Sequence, residues 1–263
     1  MAAAWIAWGP AGLVGLPLIG LFACLALPRW GHAIATATTL LVLALVVALG
    51  IGGGIGGATV LGGWDAPLGI LLRLDALAWV FTAITAAVFA LVTPAAKTAL
   101  SSEGVAALWL GLLAGMAALF VSGDLFNLFV ALEVAGLSAV ALTAMGGDAR
   151  AARAAFGYLA VSLTGGLLYL AAVALFYRAT GTLDLGQVAS AIADGEGAGA
   201  AEPGLAAALA LATAGLLLKT GAAPMHRWLP PAHGAASPVV SALLSGIVVK
   251  GSLYILIRRG PGR

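Results

Sequence analysis

Residues 125–145 read LFNLFVALEVAGLSAVALTAM. One ionisable side chain, Glu133, stands in a run that is otherwise apolar or neutral. About 20 such residues is the length an α-helix needs to cross the hydrocarbon core of a bilayer. Asp124 precedes the run, where a carboxylate favours a helix N-terminus, and Gly146, Gly147 and Asp148 end it. Glu133 is nine positions after Asp124, roughly 14 Å along a helix and so near the midplane of a membrane.

Working outward, the whole chain shares this character. It has 263 residues, of which 62% are hydrophobic and 8% charged, and its mean hydropathy is +1.11. A soluble domain carries about 25% charged residues, so a water-facing surface cannot be covered from this composition. That excludes a soluble globular protein, a disordered chain and a nucleic-acid binder. The apolar runs are continuous, unlike the alternating segments of a membrane β-barrel. The net charge of +2 predicts no basic field that would draw acidic partners. The single cysteine, Cys24, excludes an intrachain disulfide and a Cys-ligated metal site. Met1–Trp8 lacks a positive leader segment, so the first apolar run reads as a span.

The predicted fold class is all-α, a polytopic membrane helix bundle of about eight spans. The spans are placed at about 10–27, 33–51, 74–93, 104–122, 125–145, 154–177, 204–229 and 237–257. A Gly-rich stretch leading into Gly63-Trp64-Asp65-Ala66-Pro67-Leu68-Gly69-Ile70 reads as an interfacial hairpin rather than a span. Asp184–Ala193 reads as a short surface helix, in a polar stretch that ends at Asp194, Glu196 and Glu202; Glu103 lies in the loop before the fourth span. Two units are expected: residues 1–103, with the first helices and the hairpin, and residues 104–263. Arg29, Lys97, Arg150, Arg153 and Arg227 fall on one side and Arg73, Arg178, Arg258, Arg259 and Arg263 on the other. With the tail set aside, the positive-inside bias predicts both termini outside. Trp5, Trp8, Trp30, Trp64 and Trp228 fit an interfacial aromatic belt, and Gly111 and Gly115 suit close helix packing.

Charges within spans carry the functional information, because each costs about 2.5–3.5 kcal/mol at the membrane centre on insertion scales. Besides Glu133 there are Lys219, in the interrupted seventh span, and Lys250, thirteen positions after Ser237 in the eighth. Each has a plainer reading: the lysines as snorkelling anchors, Glu133 as a structural helix partner. The functional reading is a proton relay, since an acid and an amine that make and break contact change each other's proton affinity in a low dielectric. Gly221 and Pro224 mark a helix break, which at membrane depth must line protein or water; the alternative is a kink for packing. His226 and His233 flank Pro230-Pro231 and can pass protons near neutral pH or serve as interfacial hydrogen-bonding groups. Seven residues apart with no carboxylate or thiol beside them, they make a poor metal site. No phosphate-binding loop, dinucleotide fingerprint, nucleophile elbow or haem motif occurs, so no cofactor and no enzymatic centre of its own are expected.

Four ordered stretches together resemble a known family. Ser122 through Glu133, Tyr177 through Leu185, Lys219 through His233 (with Pro224-Met225-His226-Arg227-Trp228-Leu229-Pro230-Pro231-Ala232-His233), and Ser237 through Gly246 on to Lys250 are similar to segments of antiporter-like membrane subunits. These are the proton-pumping subunits of respiratory complex I, the Mrp-type cation/proton antiporters and the membrane arms of related hydrogenases. The hairpin stretch looks most like the Mrp-type D protein. The resemblance implies that Glu133 and Lys219 form an ion pair, that Lys250 relays to a next half, and that His226 and His233 lie near the same path. It implies that residues 104–263 match the first of two five-helix repeats, with either a partner chain supplying the second or this chain being a truncated or split form. It also implies a prokaryotic inner membrane, other membrane subunits as partners, and protons and Na⁺ as the transported ions. The expected function is ion translocation within an Mrp-like or NADH-quinone oxidoreductase-like assembly. The alternative is a non-transporting structural module that docks partner subunits.

Overall fold

The computed structural model describes residues 2–64, 69–102, 104–193 and 203–258. Expectations for Asp65–Leu68, Glu103, Asp194, Glu196, Glu202, Arg259, Arg263 and the side chain of Trp5 lie outside the described residues. The chain is a polytopic helical membrane protein. Its helices are α1 (Ala2–Ala26), α2 (Gly31–Ile51), α3 (Ala76–Ala95), the single turn α4 (Lys97–Leu100), α5 (Val105–Val121), α6 (Leu125–Ala144), α7 (Ala149–Thr180), α8 (Leu185–Ala193), α9 (Pro203–Thr220), α10 (Leu229–Ala235), α11 (Pro238–Leu243) and α12 (Val249–Ile257). Among the described residues, seven segments are long and apolar enough to cross a membrane, and α5 is a shorter apolar helix.

Helix α5 is the hub. It is apolar all round, which fits a helix with no lipid or water face, and nearly every one of its residues is buried. Helices α1, α2, α3, α6 and α12 pack around it. Gly115 sets the α5–α6 approach: a Cβ built there would lie 2.6 Å from the Ala135 nitrogen and 2.9 Å from its Cα. Without a hydrophobic drive between helices in lipid, this backbone proximity maximises dispersion contact. On the other flank α7 packs along α9 through Gly165 and Gly215, where an added Cβ at Gly165 would meet the Gly215 carbonyl at 2.8 Å.

Helix ends follow cap chemistry more than hydropathy. Asp75, Asp124 and Asp148 accept hydrogen bonds from Ala78 N at 2.8 Å, Asn127 N at 2.7 Å and Ala151 N at 2.6 Å. Each satisfies an otherwise orphaned helix-start donor. The Asp148 cap starts α7 at Ala149, five residues before the apolar edge at Ala154, so Arg150 and Arg153 belong to the helix. The hairpin forms as strands β1 (Ala58–Leu61) and β2 (Ile70–Arg73), antiparallel with Ala58 opposite Arg73. Leu72 then bridges to Ser122, and Asp124 bridges to Asp184. This rim of backbone pairing fixes the start of α6 and hence the depth of Glu133.

The packing makes a stability prediction. Gly115→Ala forces α5 and α6 apart and costs about 1–3 kcal/mol, the range for overpacking. Gly15→Ala, where an added Cβ meets nothing within 4 Å, is neutral or slightly stabilising because alanine favours helix. Thermal unfolding of the two variants in the same detergent checks the contrast.

Candidate functional site

Glu133 lies on the third turn of α6, and Lys219 is the penultimate residue of α9, just before the helix breaks. The structure brings them together: Lys219 Nζ is 2.8 Å from Glu133 Oε1, with side chains 6% and 16% exposed. Lys219 Nζ also donates to Ser162 Oγ on α7 at 3.0 Å. Oε1 is buried, and the Lys219 ammonium is its close charged partner. A carboxylate oxygen in that state retains lone pairs for a proton or a water.

The pair fits because α7 yields space at the crossing. An added Cβ at Gly166 would collide with Glu133 Oε1, and one at Gly165 would lie 2.9 Å from Lys219 Cγ. Gly136, one turn above Glu133, stands beside Lys219 Nζ and Ser162 Oγ in the same way. Ser162, Gly165, Gly166 and Gly136 were not singled out from the sequence. The signal present was a Ser-x-x-Gly-Gly cluster of small residues in the middle of a long apolar helix.

The helix break is built in detail. Gly221 has φ +69, a left-handed conformation that suits glycine. Gly221 N and Ala222 N return hydrogen bonds to the Leu218 and Leu217 carbonyls at 3.2 and 3.1 Å. Trp228 Nε1 donates to the Leu218 carbonyl at 3.2 Å. Trp228 is buried and stacks on Tyr158, with centroids 4.5 Å apart, whereas the sequence suggested a place in the interfacial belt. Its indole N–H donates to one carbonyl beside the break, that of Leu218. Trp8, Trp30 and Trp64 are exposed, as a belt requires.

A cavity of about 20 Å³ adjoins the pair, lined by Lys219, Ser162, Tyr158, Trp228, Gly251 and Ser252. That is room for about one water. Across it, the Thr220 hydroxyl lies 2.9 Å from Ser252 Oγ, linking α9 to α12.

The remaining expected residues are not gathered at the pair. Lys250 is exposed, and its Nζ bonds to the Ser245 carbonyl. It lies within the eighth span, Pro238–Ile257, just after the π-helical turn Leu244–Val248. His233 Nδ1 is 2.9 Å from Ser241 Oγ, and Lys250 is near enough to act on it electrostatically. His226 is exposed on the turn Met225–Trp228. Pro224 follows a cis peptide at the break.

A second charged cluster was not anticipated. Arg258, at the end of α12, pairs with Asp75 at 3.1 Å and is 7% exposed against 39% for Asp75. It also donates to the Phe120 carbonyl at 3.0 Å, which takes a further bond from Tyr254 Oη at 2.6 Å. Burial lowers the Arg258 pKa, and the Asp75 charge opposes that. At the nearby rim, burial raises the Asp124 carboxyl against the pull of backbone N–H groups from Asn127 and Phe126.

Comparison with known proteins places this geometry in context. A family model described as NADH:quinone oxidoreductase/Mrp antiporter, TM, matches residues 122–261. The chain is 34% identical over 239 residues to the D component of a probable K(+)/H(+) antiporter of Rhizobium meliloti, covering 86% of this chain and 43% of that protein. It is 34% identical over 202 residues to the N component of the NADH-quinone oxidoreductase of Desulforudis audaxviator, covering 74% and 39%. Among solved structures, a chain of the membrane-bound sulfane sulfur reductase, an archaeal respiratory membrane complex, superposes with a TM-score of 0.84 at 31% identity, over 94% of this chain and 52% of that one. A chain of the Mrp complex from Dietzia sp. gives 0.84 at 25% identity, over 95% and 48%. The chain thus spans less than half the length of the curated relatives it matches.

The pair predicts a non-additive stability pattern. Lys219→Met leaves the carboxylate without its counter-ion and costs about 3–5 kcal/mol, whereas Glu133→Gln with Lys219→Met recovers most of that. Chemical unfolding of the two singles and the double in one detergent measures the coupling; additive losses contradict the ion-pair reading.

Proposed function

The chain belongs to the NADH:quinone oxidoreductase/Mrp antiporter family, and we propose that it is an ion-translocating membrane subunit in which Glu133 and Lys219 form the proton-switching pair. The observation that carries this reading is a buried acid and amine in contact at 2.8 Å, beside a helix break and a cavity that fits about one water. An ammonium that loses its counter-ion in a low dielectric releases its proton more readily. Protonation of Glu133 therefore loosens the proton on Lys219, and re-ionisation of Glu133 restores it.

From Lys219 the proton moves through the cavity to the Thr220–Ser252 hydroxyl pair, which links α9 to α12. Lys250, two residues before Ser252 and facing outward, hands it to a neighbouring membrane domain. His233 and Ser241 lie toward the opposite surface, where a cavity of about 100 Å³ opens among Ser102, Gly146 and Ser237. His226, on the exposed turn, serves the same surface. Residues 104–263 act as the first antiporter-type repeat. The side that carries Arg29, Lys97, Arg150, Arg153 and Arg227 faces the cytoplasm of a prokaryote and both termini face out. The ions are protons, exchanged for Na⁺ or another monovalent cation, within an assembly of Mrp or complex I type.

A structural docking module is the second reading. Lys219 Nζ contacts both Glu133 and Ser162, which suits a static bridge. Proton flux in proteoliposomes that also hold the partner chains separates the two. Transport predicts at least a tenfold loss in Glu133→Gln and Lys219→Met with assembly intact. Full flux in both variants means that the pair is structural.

A further inference from the structure

Arg150 and Arg153 lie one turn apart at the start of α7, and the turn Met225–Trp228 after the helix break carries Arg227. The three line one cleft of about 620 Å³. The small net charge concealed this, since the residues meet only in the fold. All three are exposed, and among the described residues none forms an ion pair with a carboxylate. Asp148, the acid nearest in sequence, is occupied in capping Ala151. Arg150 Nη2 donates to the Gly234 carbonyl at 2.8 Å, which ties α10 to α7.

The cleft changes character with depth. Arg150 and Arg153 precede the apolar stretch of α7, at headgroup level. Gly157 is about 6 Å beyond Arg153 and about 10 Å beyond Arg150 along the helix, and a Cβ built there meets nothing within 4 Å. Phe156 beside it is 71% exposed, and buried Trp228 forms part of the wall. A free inorganic anion has no use for such a wall, whereas a molecule with an anionic head and an apolar tail matches both ends.

We propose that this cleft binds the phosphodiester headgroup of an anionic phospholipid, with Arg150, Arg153 and Arg227 around the phosphate and an acyl chain over Gly157. Basic pockets between membrane helices recognise such headgroups, and guanidinium groups bind phosphate through paired N–H donors. The bound lipid bridges α7 to the segment after the break, whose Trp228 caps α9 beside Lys219. The proposal needs only the membrane-spanning fold, not the transport reading.

The test uses the full chain purified in neutral detergent, titrated with phosphatidylglycerol, phosphatidylcholine or inorganic phosphate. Thermal stability and native mass spectrometry read lipid binding. Arg153→Gln with Arg227→Gln removes two ligands and spares the Arg150–Gly234 bond; Arg29→Gln with Lys97→Gln removes two charges elsewhere on the same side. Phosphatidylglycerol should stabilise the wild type and the Arg29/Lys97 variant, and bind the Arg153/Arg227 variant at least tenfold more weakly. Equal binding of phosphatidylcholine, an equal shift with inorganic phosphate, unchanged binding in the Arg153/Arg227 variant, or equal loss in the Arg29/Lys97 variant overturns the proposal. If circular dichroism shows the double variant misfolded, Arg227→Gln alone is used, with at least threefold weaker binding expected and unchanged binding overturning the idea.

Discussion

A carboxylate and an ammonium can both sit in the middle of a lipid bilayer only if each offsets the desolvation of the other. Glu133 and Lys219 meet that condition at 2.8 Å, and much of the surrounding architecture follows from it. The two residues lie on helices α6 and α9, which are not neighbours in sequence. Helix α7 passes between them and presents Gly165 and Gly166 where a larger residue would keep the charges apart. The Ser162 hydroxyl takes one lysine donor. The carboxylate contact and the Ser162 hydroxyl together hold the Lys219 ammonium in place.

The helix break beside Lys219 solves a related problem. A continuous helix at that depth would satisfy its own backbone and leave no space for water. At Gly221 the chain turns, Trp228 covers the loosened Leu218 carbonyl, and a small cavity remains between α9 and α12. The indole therefore serves the break and not the membrane surface. The same turn delivers Arg227 to the cleft at the membrane face, so the geometry around Lys219 and the arginine cleft share one piece of backbone.

Much of this was legible in the sequence because lipid imposes simple rules. Run length located the spans, and a lone Glu133 in residues 125–145 announced itself against that background. Gly221 and Pro224 announced the break. Hydropathy misjudged the start of α7, because the Asp148 cap extends that helix through Arg150 and Arg153 into the headgroup region. Lys250 stands within the span Pro238–Ile257, as run length predicts, but composition does not tell which face it takes, and its side chain is exposed on the fold. Arg258 with Asp75, and the three-arginine cleft, were invisible for a different reason: their members are far apart in sequence, and only the tertiary fold assembles them. The glycines that admit the ion pair look like any other membrane glycines until the neighbouring charges are in place.

The central claim is that the Glu133–Lys219 contact is a switch rather than a permanent bridge. Infrared difference spectroscopy on the protein in lipid, across a pH jump, tests it directly. The account predicts a reversible protonated-carboxyl band that disappears in Glu133→Gln and shifts when Lys219 is replaced by Met. A Glu133 carboxylate that stays ionised across the whole jump, with no such band in the wild type, would contradict it.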